Sequence, residues 1–101
     1  MTSRERSPGW PDTPTIAESG VPDYGMEGWY AVLVPAATPD SAVRALNAAL
    51  GQALRSPEVK ARLETLGIQP LGGTPEEAAS FIAAEARKWE KVIKDAQIKA
   101  D

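Results

Sequence analysis

The chain has neither cysteine nor histidine. Without cysteine there is no disulfide framework and no thiolate chemistry, and nothing in the sequence fixes a redox compartment. Without histidine the usual general base and the commonest metal ligand are both missing. A metal site would have to be built of carboxylates alone, and the acids do not fall into a calcium-loop pattern. Long apolar runs are lacking, so no stretch reaches membrane-spanning length. The N-terminal MTSRERSPGW carries charge but no apolar run after it, so it does not read as a secretory signal; as written, the chain is expected to stay in the cytoplasm. Nor is there an excess of positive charge. The formal net charge is −3 and the basic residues are scattered, which argues against nucleic acid and against an anionic membrane surface as partners.

What is present is the material of one small domain or of part of one. Aliphatic and aromatic side chains make up 43% of the residues, so a core is possible, but a chain this short is stable only if its layers close. The most apolar stretch is Trp29–Val34, an aromatic and β-branched run bounded by Gly28 and Pro35. It predicts a strand with both faces covered. Directly after it, Thr38-Pro39-Asp40 predicts a helix start, with the Thr38 hydroxyl as cap, Pro39 at the first helical position and Asp40 at the positive helix end.

Upstream, residues 1–28 are rich in Pro, Gly, Ser and acids, and read as a turn-rich segment. Within it, Thr15-Ile16-Ala17-Glu18 has capping-box spacing and Gly20 stands ready to end a single helical turn. Glu18 is therefore read as a cap rather than a catalytic acid.

Downstream, residues 29–101 read as a strand plus helices. The first helix spans about 39–55, with Val43, Leu46, Leu50, Ala53 and Leu54 on one stripe and Asn47 sharing it as a hydrogen-bonded edge residue. Ser56-Pro57-Glu58 restarts a helix over about 57–66, which Gly67 caps. Ile68–Leu71 reads as a short second strand, turned by Gly72-Gly73. Thr74-Pro75-Glu76-Glu77 opens the longest helix, about 75–96, with a full capping box. Its stripe of Ala78, Phe81, Ile82, Trp89, Val92, Ile93 and Ala96 has Glu85 near its centre. A carboxylate there needs a cation or hydrogen-bond donors, and the Trp89 indole N–H needs an acceptor. The fold class is thus a helix-rich α/β fragment.

No enzyme is indicated. Gly72-Gly73 follows only a weak extended piece and has no Lys-Ser/Thr after it, so it is not a phosphate cradle. Serines and Tyr30 lack an evident base, and Glu76-Glu77 are accounted for by the helix N-terminus.

Taken in order, SRERSPGWPDTPTIAESGVPDY, GWYAVLVPAATP, LNAAL, SPEVKARLETLGIQPLGGTPEE and FIAAEARKWEKVIK resemble the C-terminal portion of the substrate-binding proteins of tripartite tricarboxylate transporters, the Bug receptor family. No single motif is diagnostic, but the series runs through essentially the whole chain in register. The resemblance implies a piece of a two-domain periplasmic-binding-protein-like fold. Intact relatives are exported to the periplasm, bind a small carboxylate in a cleft, and deliver it to membrane transporter subunits. Residues 1–28 then correspond to a remnant of the second domain and 29–101 to the C-terminal part. It implies no catalytic residue, no metal and no cofactor. The carboxylate is expected to be held mainly by loops that lie upstream of Met1 in relatives, leaving Trp29 and Tyr30 as the cleft-proximal candidates. The chain by itself is expected not to bind ligand. Two departures stand out. Ala37 occupies a position where the family commonly has glycine, so a positive φ there would be strained. Gln97 likewise replaces a common glycine, so the last helix is expected to run on or fray.

A second reading follows from the amphipathic Ala78–Ala96 helix: a small cytoplasmic interaction or oligomerisation module. Its helix faces would bind a partner or another copy. Separately, the unpaired edge of the Trp29–Val34 strand predicts either self-association as a strand-paired dimer or a partly disordered N-terminal third with the Pro39–Ile98 helices still packed.

Overall fold

The computed structural model describes residues 1–99, which form three helices joined by turns and extended connections. Helix α1 is Asp40–Arg55, α2 is Pro57–Thr65 and α3 is Pro75–Asp95. The bounds agree with the sequence pattern to within a residue at each end. Helix α1 touches both of the others, and α2 and α3 do not meet.

The local signals that set the helix ends act largely as their chemistry dictates. At α3 the Thr74 hydroxyl accepts from the Glu77 N–H at 3.1 Å, and the Glu77 carboxylate accepts from the Thr74 N–H at 2.8 Å. This is the reciprocal box that satisfies two orphan donors at once. At α2 the Ser56 hydroxyl accepts from Val59 N–H at 3.3 Å, with Pro57 in the first turn. Helix α1 differs from expectation. Pro39, not Thr38, stands at the N-cap, and no side chain caps the helix. The Thr38 N–H closes a turn onto the Pro35 carbonyl at 3.0 Å, and the first helical bond runs from Val43 N–H to the Pro39 carbonyl at 3.1 Å.

The C-terminal ends of α2 and α3 are Schellman motifs. In α2, Gly67 takes φ 68°, its N–H donates to Glu64 at 3.0 Å, and Ile68 N–H donates to Leu63 at 2.8 Å. In α3 the same pattern recurs with Gln97 at φ 54°, through Gln97 N–H to Lys94 at 3.2 Å and Ile98 N–H to Ile93 at 3.0 Å. The last helix is therefore capped after Asp95 and does not run on. Gln97 accepts the left-handed conformation that glycine usually supplies. Ala37 is the converse: Gln97 is the only non-glycine with positive φ among the described residues, so Ala37 carries no such strain.

The expected strands are absent among the described residues. Neither 29–34 nor 68–71 is a strand, and the fold as it stands is helical rather than α/β. Over residues 29–34 no backbone group pairs with another segment. The reason is physical: a strand exists only where a neighbour supplies the ladder, and apolar composition alone cannot supply one. Tyr30, Val32 and Leu33 are left 87%, 71% and 75% exposed.

Closure fails on the larger scale too. No apolar side chain is fully buried among the described residues, and the one buried side chain is Thr15. The radius of gyration is 16.7 Å, against about 13 Å for a compact domain of this length. The accessible surface is 8577 Å², against roughly 5,500 Å² for a compact protein of this mass.

Candidate functional site

The contacts that join residues farthest apart in sequence lie on the middle of α3. Phe81, Glu85 and Trp89 follow one another at four-residue steps and so share a face, with Lys88 beside them. Trp29 meets this face edge-on. Its ring lies 5.4 Å from the Phe81 ring at an interplanar angle of 82°, the geometry in which a ring's positive edge meets another's negative face.

One turn along, the Glu85 carboxylate accepts from the Trp89 indole N–H at 3.0 Å and lies 3.5 Å from the Lys88 ammonium. Both polar needs raised by the stripe are thus met within the helix. The Trp89 hydrogen bond, foremost, holds the Glu85 carboxyl below the usual glutamate range. Partial burial opposes this, while Lys88, with a smaller contribution from Trp29, reinforces it. Lys88 also donates to the Gly25 carbonyl at 2.7 Å and stands 5.1 Å from the centre of the Trp89 ring. One ammonium thereby ties the turn-rich segment to α3, is held by a carboxylate, and rests against an aromatic ring. Glu85 is an ionised carboxylate engaged by these internal donors, a positioning group rather than an acid poised for chemistry.

The two cleft candidates part company. Trp29 packs onto Phe81 and is 40% exposed, whereas Tyr30 projects into solvent. Two open grooves lie elsewhere. One is between α1 and the 70–73 connection, where Asn47 donates to the Gly73 carbonyl at 2.9 Å, the edge role expected of it. The other lies along residues 3–8, beside Glu27 and Gln69. Neither contains Trp29 or Tyr30.

The N-terminal segment has an organising cluster of its own. Thr15 and Glu18 form the expected reciprocal cap, at 2.8 and 3.1 Å. Arg6 Nε adds contacts of 3.0 and 2.9 Å to the two Glu18 oxygens, and a guanidinium N–H of Arg6 reaches the Pro11 carbonyl at 3.0 Å. Arg6 foremost, then the Thr15 N–H, holds the Glu18 carboxyl below its usual range. The first residues lie along this cluster: Ile16 N–H donates to the Met1 carbonyl at 3.0 Å and Met26 N–H to the Thr2 carbonyl at 2.9 Å.

The sequence reading missed Lys88 as a latch, since nothing local to residue 88 points to a carbonyl 63 positions away. The Glu85–Trp89 pair was legible, because acceptor and donor stand four residues apart on one helix. No group of acids suited to holding a metal ion occurs among the described residues.

Residues 1–98 match the family described as tripartite tricarboxylate transporter family receptor. A protein of the tcbD–tcbE intergenic region of a Pseudomonas species is 38% identical across all of this chain, which covers 30% of that relative. Protein BugT of Bordetella pertussis is 33% identical over 94% of this chain and 29% of its own length. A protein of the clcB–clcD intergenic region of Pseudomonas knackmussii is 30% identical over 92% of this chain and 56% of its own length. The chain spans about three tenths of the first two of these relatives and about half of the third. The matched family is one of receptors rather than enzymes. With the match running from residue 1 to residue 98, the chain belongs to the tripartite tricarboxylate transporter receptor family.

Proposed function

We propose that this chain is the C-terminal part of a solute receptor for small carboxylates. In such a receptor, the whole protein binds its solute in the periplasm and presents it to the membrane subunits of a tripartite transporter. Residues 1–28 would belong to the receptor's second domain and 29–101 would complete the C-terminal part of its fold. The observation that carries this reading is the family match over residues 1–98. In this reading Trp29 and Tyr30 stand at the edge of the cleft, Trp29 resting on Phe81 and Tyr30 exposed beside it.

The bulk of the carboxylate contacts belong to loops outside this stretch, so the chain alone is a non-binding part. Calorimetric titration with citrate, succinate, glutamate and aspartate is the test, and no saturable heat is expected. Micromolar affinity for any of them would move the site into this stretch, with Trp29 and Tyr30 the first residues to substitute.

A further inference from the structure

We infer that the groove between α1 and the 70–73 connection binds a small phosphate monoester, with Arg55 and Lys60 holding the phosphate and Leu54 and Pro70 taking the apolar end of the ester. The groove has a volume of about 400 Å³, near the lower end of small-ligand pockets. It contains neither Trp29 nor Tyr30, so it is separate from the proposed carboxylate cleft.

Charge comes first. The chain is net negative, yet two cations line this groove and, among the described residues, no acid does. Arg6, Arg44, Lys88, Lys91 and Lys94 each stand against a carboxylate, whereas neither Arg55 nor Lys60 forms an ion pair among the described residues. The helix break brings these two together: α1 ends at Arg55, Ser56 is extended, and Lys60 follows at the start of α2. Geometry comes second. The Arg55 guanidinium lies back over Gly51, where a Cβ would stand 3.4 Å from Nη1, so no side chain at 51 intrudes on it. The opposite wall is pinned, because Asn47 donates to the Gly73 carbonyl at 2.9 Å. In that wall Gly72 and Gly73 hold φ of 68° and 112°. Their N–H groups make no backbone hydrogen bond among the described residues and are open to a ligand as further donors. The charge and the wall together select the ligand. A phosphate monoester concentrates about −1.5 to −2 charges on one group at pH 7, which matches two cations at one spot. Arginine presents a planar fork of donors suited to phosphate, and lysine adds a point charge. A dicarboxylate divides the same charge between two ends. Half-buried Leu54 and Pro70 give the organic part of an ester a surface to pack on, which inorganic phosphate would leave unused.

The test is an NMR titration of the full chain with phenyl phosphate, inorganic phosphate and succinate, at constant ionic strength because exposed cations are screened by salt. Phenyl phosphate is expected to give saturable shifts at the Gly51, Gly72 and Gly73 amides and at Arg55 Nε. Inorganic phosphate and succinate are expected to bind at least roughly five-fold more weakly, the first for want of apolar contact and the second for want of concentrated charge. Arg55→Gln and Lys60→Gln should each weaken phenyl phosphate about ten-fold, the loss of one charge-assisted hydrogen bond. Arg87→Gln, which alters an α3 cation outside the groove, should change nothing. All three side chains are exposed, and unchanged helical circular dichroism checks that the variants fold. Affinity should also fall as pH drops through about 6, where the phosphate takes up a proton. Shifts that fail to saturate, that spread over the chain's other cations, or that survive both groove substitutions overturn the inference. Equal affinity for inorganic phosphate or for succinate overturns it too, since then the apolar wall or the concentrated charge plays no part.

Discussion

Replacing Gln97 by glycine tests whether the last helix is held by its geometry in spite of its residue. Gln97 sits at φ 54°, and its N–H and that of Ile98 close the Schellman pattern onto Lys94 and Ile93. A side chain in the left-handed region costs roughly 1–2 kcal/mol through the approach of Cβ to the following carbonyl. Glycine removes that cost but has more freedom to lose on ordering, which offsets about 0.4–1 kcal/mol. The net gain for Gln97→Gly is therefore about 0.5–1 kcal/mol, or roughly a two- to five-fold drop in the opening constant of the last turn. The assay is hydrogen exchange at the Ile98 amide, corrected for the intrinsic rate of the new neighbour. Phe81, in the interior of the same helix, serves as the unaffected reference. Gln97→Val provides the opposite sign, because a β-branched residue tolerates positive φ least. If glycine leaves the Ile98 rate unchanged or raises it while valine has no effect, the cap is not what ends the helix, and the strain argument fails.

Thr74→Ala removes one half of the capping box at α3. It should cost about 1 kcal/mol and fray the first turn, seen as lower helical ellipticity and faster exchange near Glu77. Lys88→Met keeps the stem but removes the donor to the Gly25 carbonyl, so exchange at the Met26 amide, which donates to the Thr2 carbonyl, should quicken while α3 keeps its helicity; unchanged exchange there would deny Lys88 its latch role. Glu85 gives the pH prediction. Its folded pKa is lowered, so its contribution is present above the ordinary glutamate value of about 4.3 and is lost as pH falls through the lowered one. Indole fluorescence should show an inflection below that ordinary value which Glu85→Gln abolishes, and an inflection that survives the substitution would assign it to another acid.

The helices were legible because their causes are local. Thr74 and Glu77, Ser56 and Val59, and Gly67 after Leu63 lie within a turn or so of one another, so spacing alone carries the bond that forms. The Glu18 cap and the Asn47 edge bond were legible for related reasons, one a box, the other a polar residue on an apolar stripe. The misplaced helix start at Thr38 shows the limit of this logic. Two turn signals, Pro35 to Thr38 and Pro39 to Val43, compete over the same few residues, and the Thr38 amide is taken by the first. The family was legible for another reason again: a series of weak motifs in order is specific where each alone is not. The Lys88–Gly25 contact and the Trp29–Phe81 pair had no local signature, since each joins residues remote in sequence.

The failure of the strand expectation carries the same lesson into energetics. Trp29–Val34 has the side chains of a covered strand, and that reading concerns the environment the segment is suited to, not a structure it can make by itself. A helix satisfies its own backbone, so α1 to α3 form wherever their caps and periodicity allow. A strand satisfies nothing until a neighbour is present, and its hydrophobic side chains contribute only once a second layer removes them from water. The structure separates these two kinds of information. Where the determinants are internal to a segment, geometry follows sequence to within a residue; where they belong to an interface, the composition survives as exposed Tyr30, Val32 and Leu33 with unpaired amides between them. An apolar β-branched run with no ladder is thus evidence about what the segment is built to meet: a neighbouring strand along its edge and a layer over its face.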